Sequence, residues 1–170
     1  LHVKIRDIIK AYKDNFSKID KEERYKWEAI ATYKKVWNIN AEHYGTMFAS
    51  AFRDSGNLLR SGNYYPYKMA TAWAEKEPEG LRETFRKLFD ESQPFDKRYT
   101  QFKDDFSKYY EGTGHNHYQD LHAVSVYLTF EFPEKYFFYK YSAVKDFIKA
   151  SCYECSNIDA MSDVEKMELT

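Results

Sequence analysis

The sequence predicts an all-α fold: a compact single domain of about seven or eight helices. Three observations point there. Apolar residues recur at three- and four-residue spacing along almost the whole chain. Pro66, Pro78, Pro94, Gly112 and Pro133 stand between the periodic stretches, where helices start or stop. Only one segment, 136–141 (YFFYKY), reads as extended, and no two-residue turn such as Asn-Gly sits beside it to make a hairpin. At 170 residues the chain can bury roughly 70% of its unfolded surface, so it needs neither disulfide nor metal to fold.

Taken in order, Ile5, Ile8, Ile9, Tyr12 and Phe16 mark a first amphipathic helix. Asp20, a side chain that accepts from free helix N–H groups, is the expected N-cap of a second. That helix runs through Trp27, Ile30, Ala31 and Lys34 to Trp37, with both tryptophans on its apolar face. A third follows from Ala41, carrying Tyr44, Met47, Phe48, Ala51 and Phe52. The stretch 54–66 (DSGNLLRSGNYYP) reads as a loop, because Ser-Gly pairs favour turns and Pro66 biases Tyr65 away from helix.

Beyond it, Met69 and Trp73 belong to a short helix. Pro78 opens the next, with Leu81, Phe85, Leu88 and Phe89 on one face. Pro94 opens another, bearing Phe95, Tyr99, Phe102, Phe106 and Tyr110, which Gly112 stops. Leu121, Val124 and Leu128 face the core from a helix that Pro133 ends, and Val144, Phe147 and Ile148 make the penultimate one. The tail from Asn157 is acidic, with Met161, Val164 and Met167 at loosely helical spacing.

Aromatics reach 19%, with 16 Tyr and 13 Phe, so the core is built largely from rings. Every buried phenol then needs a polar partner, and any ring left outside is free to stack on a ligand. The net charge of −1 excludes a strongly cationic domain. Locally the balance shifts: residues 1–40 hold ten Lys and Arg against six acids, and residues 151–170 hold one Lys against five acids. The two cysteines, Cys152 and Cys155, are too few for a secreted disulfide scaffold and suit a reducing cytoplasm. No apolar run reaches membrane-spanning length, no signal-peptide pattern is present, and no membrane partner is expected.

Motifs for catalysis are missing. No glycine is followed by Lys, so no phosphate-cradling loop of the GxxxxGK type can be drawn, and neither a G-x-S-x-G elbow nor an H-E-x-x-H pair occurs. Asp104–Asp105 and Glu22–Glu23 read as solvated helix charges. His115, His117 and His122 with the Cys152–Cys155 pair are the only candidate zinc donors, but a single Cys pair is a weak signature, so neither metal nor cofactor is expected. Two aromatic-basic clusters remain: Arg24-Tyr25-Lys26-Trp27 with Tyr33, Lys34, Lys35 and Trp37, and 135–145 (KYFFYKYSAVK). Flat apolar rings beside ammonium groups are what stacked bases and their phosphates require.

Several segments carry a family resemblance. They are I-x-x-Y-K at 9–13, R-Y-K-W-E at 24–28 with Trp37 beyond, F-R-K-L-F-D-E-S-Q-P at 85–94, the His-rich turn, and P-E-K-Y-F-F-Y-K-Y-S at 133–142. In that order, over residues 1 to about 150, they resemble the N-terminal region of bacterial ATPases related to the 5-methylcytosine-specific restriction enzyme B (McrB). The resemblance implies that residues 1–150, helical by their periodicity, form an N-terminal domain that precedes an AAA+ NTPase module and recognises DNA. Duplexes carrying modified cytosine are candidate partners, but which base is read does not carry over. Residues 151–170 then read as an acidic tail or linker towards that missing module. A separate nuclease subunit completes such systems, which act in the bacterial cytoplasm, and no catalytic residue transfers to this region. The expected nucleic-acid contacts are Lys34 and Lys35 on phosphate, with Lys135, Tyr136, Tyr139, Lys140, Tyr141 and Lys145, any of the three tyrosines being suited to stack on an extruded base. The competing expectation is a protein-interaction or assembly module of the same kind of ATPase, which the near-neutral charge favours.

Overall fold

A computed structural model describes residues 5–151 and 158–168. Its helices are α1 (Ile5–Asp14), α2 (Phe16–Val36), α3 (Tyr44–Ala51), α4 (Pro66–Lys76), α5 (Pro78–Phe89), α6 (Phe95–Tyr109), α7 (Leu121–Glu131), α8 (Tyr141–Ser151) and α9 (Asp163–Glu168). Two 3-10 turns, Arg53–Leu58 and Ile158–Ala160, join them. Among the described residues there is no β-ladder, only an isolated bridge between Ser61 and Tyr64. The all-α class is therefore what the periodicity predicts.

The core is organised around α7. Leu121 and every residue from Ala123 to Phe130 are buried, so this helix is enclosed on all sides rather than amphipathic. Its two aliphatic hydroxyls avoid orphaned polar atoms by bonding within the helix: Ser125 donates to the His122 carbonyl and Thr129 to the Ser125 carbonyl, both at 2.7 Å. Rings fill the space around it. Phe85 on α5 meets the rings of Trp37, Phe48, Phe52, Phe89, Phe102 and Tyr127. Helices α4, α5 and α6 pack successively, and Pro66 and Pro78 begin their helices where the missing N–H has no cost. A β-carbon on Gly45 would lie 2.8 Å from the Ala74 carbonyl oxygen, so α3 and α4 approach too closely for any side chain there.

Two buried arginines stitch the connections to this core. Arg82 donates to the carbonyls of Ile39 and Ala41 at 2.7 and 2.8 Å, and Arg98 to those of Leu88 and Gln93 at 2.7 and 3.0 Å. Each guanidinium thus satisfies loop carbonyls that the helices leave open.

Four expectations need correction. Asp20 is not an N-cap: α2 starts four residues earlier, at Phe16, and Asp20 pairs inside it with Arg24. The break before α2 is only Asn15, whose side chain bonds back to the Ala11 carbonyl at 2.8 Å, so α1 and α2 follow almost end to end. Trp27 is not on the buried face but 64% exposed, because the core side of α2 is set by Ala29, Ile30 and Tyr33. The stretch 54–66 is not all loop, since the 3-10 turn runs to Leu58, with Gly56 at φ 50° turning the chain beneath the Tyr25 ring. Of the segment 136–141, Tyr141 already begins α8, while 136–140 pair with no strand among the described residues and are tied to α7 through the Tyr139 backbone. Helix α9 lies against α7, and its Met167 is buried in the core cluster.

Candidate nucleic-acid interface

An open cleft of about 1040 Å³ lies between α2, the connection after the first 3-10 turn, the start of α7, residues 138–143 and α9. Tyr25 and Lys26 on α2 form one wall, and Phe138, Lys140 and Tyr141 form the other. Lys26 spans the gap, its ammonium 5.8 Å from the centre of the Phe138 ring. Part of each aromatic-basic cluster of the sequence thus lines one depression, Tyr25 and Lys26 from the first and 138–143 from the second.

Asp120, Tyr64 and His122 build the floor. Asp120 caps α7 by accepting from the Ala123 N–H at 3.0 Å, and the same oxygen accepts from the Tyr64 hydroxyl at 2.7 Å. Burial first, and then the Asp120 hydrogen bond and charge, hold the Tyr64 phenol well above its usual pKa. His122, the second residue of α7, places Nδ1 at 2.6 Å from the Tyr139 carbonyl and Nε2 at 3.0 Å from the Leu58 carbonyl. The imidazole therefore sits between carbonyls of both neighbouring segments, and a neutral ring, with one N–H, donates to one of them. The Ser125 hydroxyl adds a further tie, accepting from the Tyr139 N–H at 2.9 Å.

Charge in the cleft is balanced. Lys26 pairs with Glu23, and Lys166 lies 3.8 Å from Asp163, which also accepts from Tyr99 at 2.5 Å. Burial first, then Asp163, raises the Tyr99 phenol above its normal range. Lys140 is exposed and has no ion-pair partner among the described residues, which makes it the one lining lysine there with an uncommitted charge.

The predicted contacts separate into different surfaces. Tyr139, Lys140 and Tyr141 line the cleft. Tyr139 cannot stack, however: it is 5% exposed, because its backbone N–H bonds Ser125 and its carbonyl lies against His122, both on α7, which draws the ring inward. Tyr141 is 41% exposed, with its hydroxyl bonded to Asp159 and the Lys145 ammonium 5.1 Å from its ring centre. Lys145 is itself tied to Asp159 at 3.0 Å, so its charge is largely compensated.

Lys135 and Tyr136 belong elsewhere. Lys135 pairs with Glu91 at 2.5 Å, and the Tyr136 hydroxyl donates to Glu91 at 2.9 Å while accepting from Arg98 at 2.8 Å. The Lys135 hydrogen bond holds the Glu91 carboxyl below its usual range, and Glu91 in turn raises Lys135. Lys34, at the end of α2, bonds the Glu131 carbonyl and lies 4.0 Å from its carboxylate; Lys35 beside it is exposed without an ion-pair partner among the described residues.

Sequence reasoning missed Tyr64, Asp120, His122 and Lys166 as cleft residues. Asp120 carries a readable sign, an N-cap residue just before an apolar run. The others are lone polar residues whose convergence only chain folding produces. As for metal donors, both ring nitrogens of His122 face backbone carbonyls and the His117 Nδ1 accepts from the Gln119 N–H at 3.0 Å. Among the described residues no group of three or more His, Cys, Asp or Glu could hold an ion, and Cys152 and Cys155 lie outside them.

Fold and site together define an all-α domain with a charge-balanced, aromatic-walled cleft. No protein-family model matches this chain, and no curated protein or solved structure is matched either.

Proposed function

We propose that this domain docks DNA through the cleft and acts by binding rather than by catalysing a reaction. The observation that carries the reading is the convergence of Tyr25 and Lys26 with Phe138, Lys140 and Tyr141 on facing walls. Aromatic faces with one uncommitted ammonium suit a base and an adjoining phosphate, whereas a tract of phosphates would call for a surplus of cations. The resemblance of the 24–28 and 133–142 segments to the N-terminal regions of McrB-like ATPases supports the same reading. In it the domain presents DNA, modified cytosine included, to a downstream NTPase module that works with a nuclease subunit.

The test is fluorescence-polarisation titration of short duplexes, unmodified and carrying modified cytosine, at low and moderate salt. Lys140→Glu with Tyr141→Ala should weaken binding by about ten-fold or more, given roughly 1–3 kcal/mol for one stacked base. Lys135→Ala, whose charge is already matched by Glu91, should leave binding nearly unchanged. Equal affinity for the wild type and the double variant would refute the cleft as the docking site.

A further inference from the structure

Away from the cleft, five large apolar side chains stand out to solvent along the first two helices: Ile5, Ile9 and Tyr12 on α1, Phe16 and Trp27 on α2. No residue of α1 is buried, so the core does not explain why this helix is amphipathic. A helix of ten residues is also marginal in water without a surface to cover its apolar side. The stripe has a definite period. Ile5, Ile9, Tyr12 and Phe16 follow one another at spacings of four, three and four, the alternation of a heptad seam. Tyr12 and Phe16 keep it continuous across Asn15, their ring centres 6.0 Å apart. Within α2, Phe16 and Trp27 share a face to about 20° at 3.6 residues per turn. Of the core-facing residues of α2, Ala29 and Tyr33 lie about 100° or more from that line and Ile30 borders it. Asp20 and Glu23 stand on it between Phe16 and Trp27, so the apolar seam is continuous from Ile5 to Phe16 and resumes at Trp27.

Charge distinguishes the two borders of the seam on α1. Arg6, Lys10 and Lys13 flank one side, while Ile8, Ala11 and Asn15 leave the other uncharged. Lys10 is matched by Asp14 at 2.7 Å, but Arg6 and Lys13 have no ion-pair partner among the described residues.

We infer that this seam docks an amphipathic helix of a second polypeptide, with apolar residues at heptad spacing and acidic residues on the flank that meets Arg6 and Lys13. A second copy of the chain fits the charges less well. Antiparallel self-pairing sets the Arg6–Lys13 borders against each other, and parallel pairing sets each against an uncharged border. A lipid surface calls for a broad apolar face, and this one is a narrow line of residues. The inference is independent of the cleft and stands whether or not the domain binds DNA.

The full chain would be titrated with a labelled synthetic helix of about three heptads, leucine at its seam positions and glutamate at its flanks, and with the same peptide flanked by lysine. The glutamate peptide is expected to bind about ten-fold more tightly or better, with a blue shift in tryptophan emission that Trp27→Phe removes. Ile9→Asp with Phe16→Asp should abolish binding. Because that pair can unwind α1, Arg6→Glu with Lys13→Glu provides a second variant, in which the preference between the peptides reverses. Equal affinity for both peptides, or no binding of either, would overturn the inference. So would light scattering that shows dimers through the seam, or binding to phosphatidylserine vesicles without peptide binding.

Discussion

Replacing Asp120 by alanine removes two hydrogen bonds through one oxygen. The first is the cap on the Ala123 N–H at 3.0 Å, worth about 1 kcal/mol for a typical aspartate N-cap. The second is the bond from the Tyr64 hydroxyl at 2.7 Å. Bonds to a charged acceptor contribute roughly 1.5–3 kcal/mol when buried, but Asp120 is exposed and water can replace part of it, so about 1 kcal/mol is expected. The sum is about 2 kcal/mol, or a melting point lower by about 4–8 °C for a chain of this size. Tyr64→Phe should cost about 1 kcal/mol alone and almost nothing once Asp120 is alanine. Urea unfolding of the four proteins of this cycle gives the coupling directly. Additive effects, within about 0.3 kcal/mol, would refute the shared oxygen as the link between Tyr64 and the start of α7. Asp120→Asn, which keeps an acceptor, should recover most of the cap.

Other outcomes follow from the same structure. Phe85→Ala empties the centre of the ring cluster and should cost about 3–5 kcal/mol in chemical denaturation, more than any exposed aromatic truncation such as Trp27→Ala. Gly45→Ala places a methyl against the Ala74 carbonyl and should lower the melting point despite the better helix propensity of alanine. Burial, helped by Lys103 and opposed by Asp120, holds the His117 imidazole below its usual value of 6.5. The folded state therefore favours the neutral ring, and this contribution is complete above about pH 6.5 and is lost as the pH falls through the depressed folded value. The urea midpoint should accordingly drop on acidification from about pH 7.5 to 5.5, and His117→Gln should flatten that slope; an unchanged slope would assign the effect to other groups. Tyr139→Ala should destabilise the domain, as a buried ring does, rather than alter docking in a still-folded protein.

Much of this architecture was legible because helix periodicity is a local property. The apolar spacing on α5 and α6, and the prolines at the starts of α4 and α5, place those helices without reference to the rest of the chain. Local signs failed where two readings compete locally. Asp20 has the chemistry of a cap, but Asn15 breaks the helix too weakly for a new one to start at Asp20. Trp27 has the chemistry of a core residue, but which side of α2 is buried depends on where α7 and the 3-10 turn press against it.

By itself, then, the sequence determined the helical class, the ring-built core and the two segments in which cations alternate with aromatics. Tertiary structure alone decided which of those cations are free. Glu91, Asp159 and Glu131 arrive from distant positions to neutralise Lys135, Lys145 and Lys34, while Lys140 is left facing the cleft. It also decided which rings are available, since Tyr139 and Tyr141, two residues apart and alike in composition, are separated by the contacts of the Tyr139 backbone with α7. The physical reason is that helix formation answers to neighbours within a turn or two, whereas exposure and charge pairing answer to whatever the folded chain brings alongside.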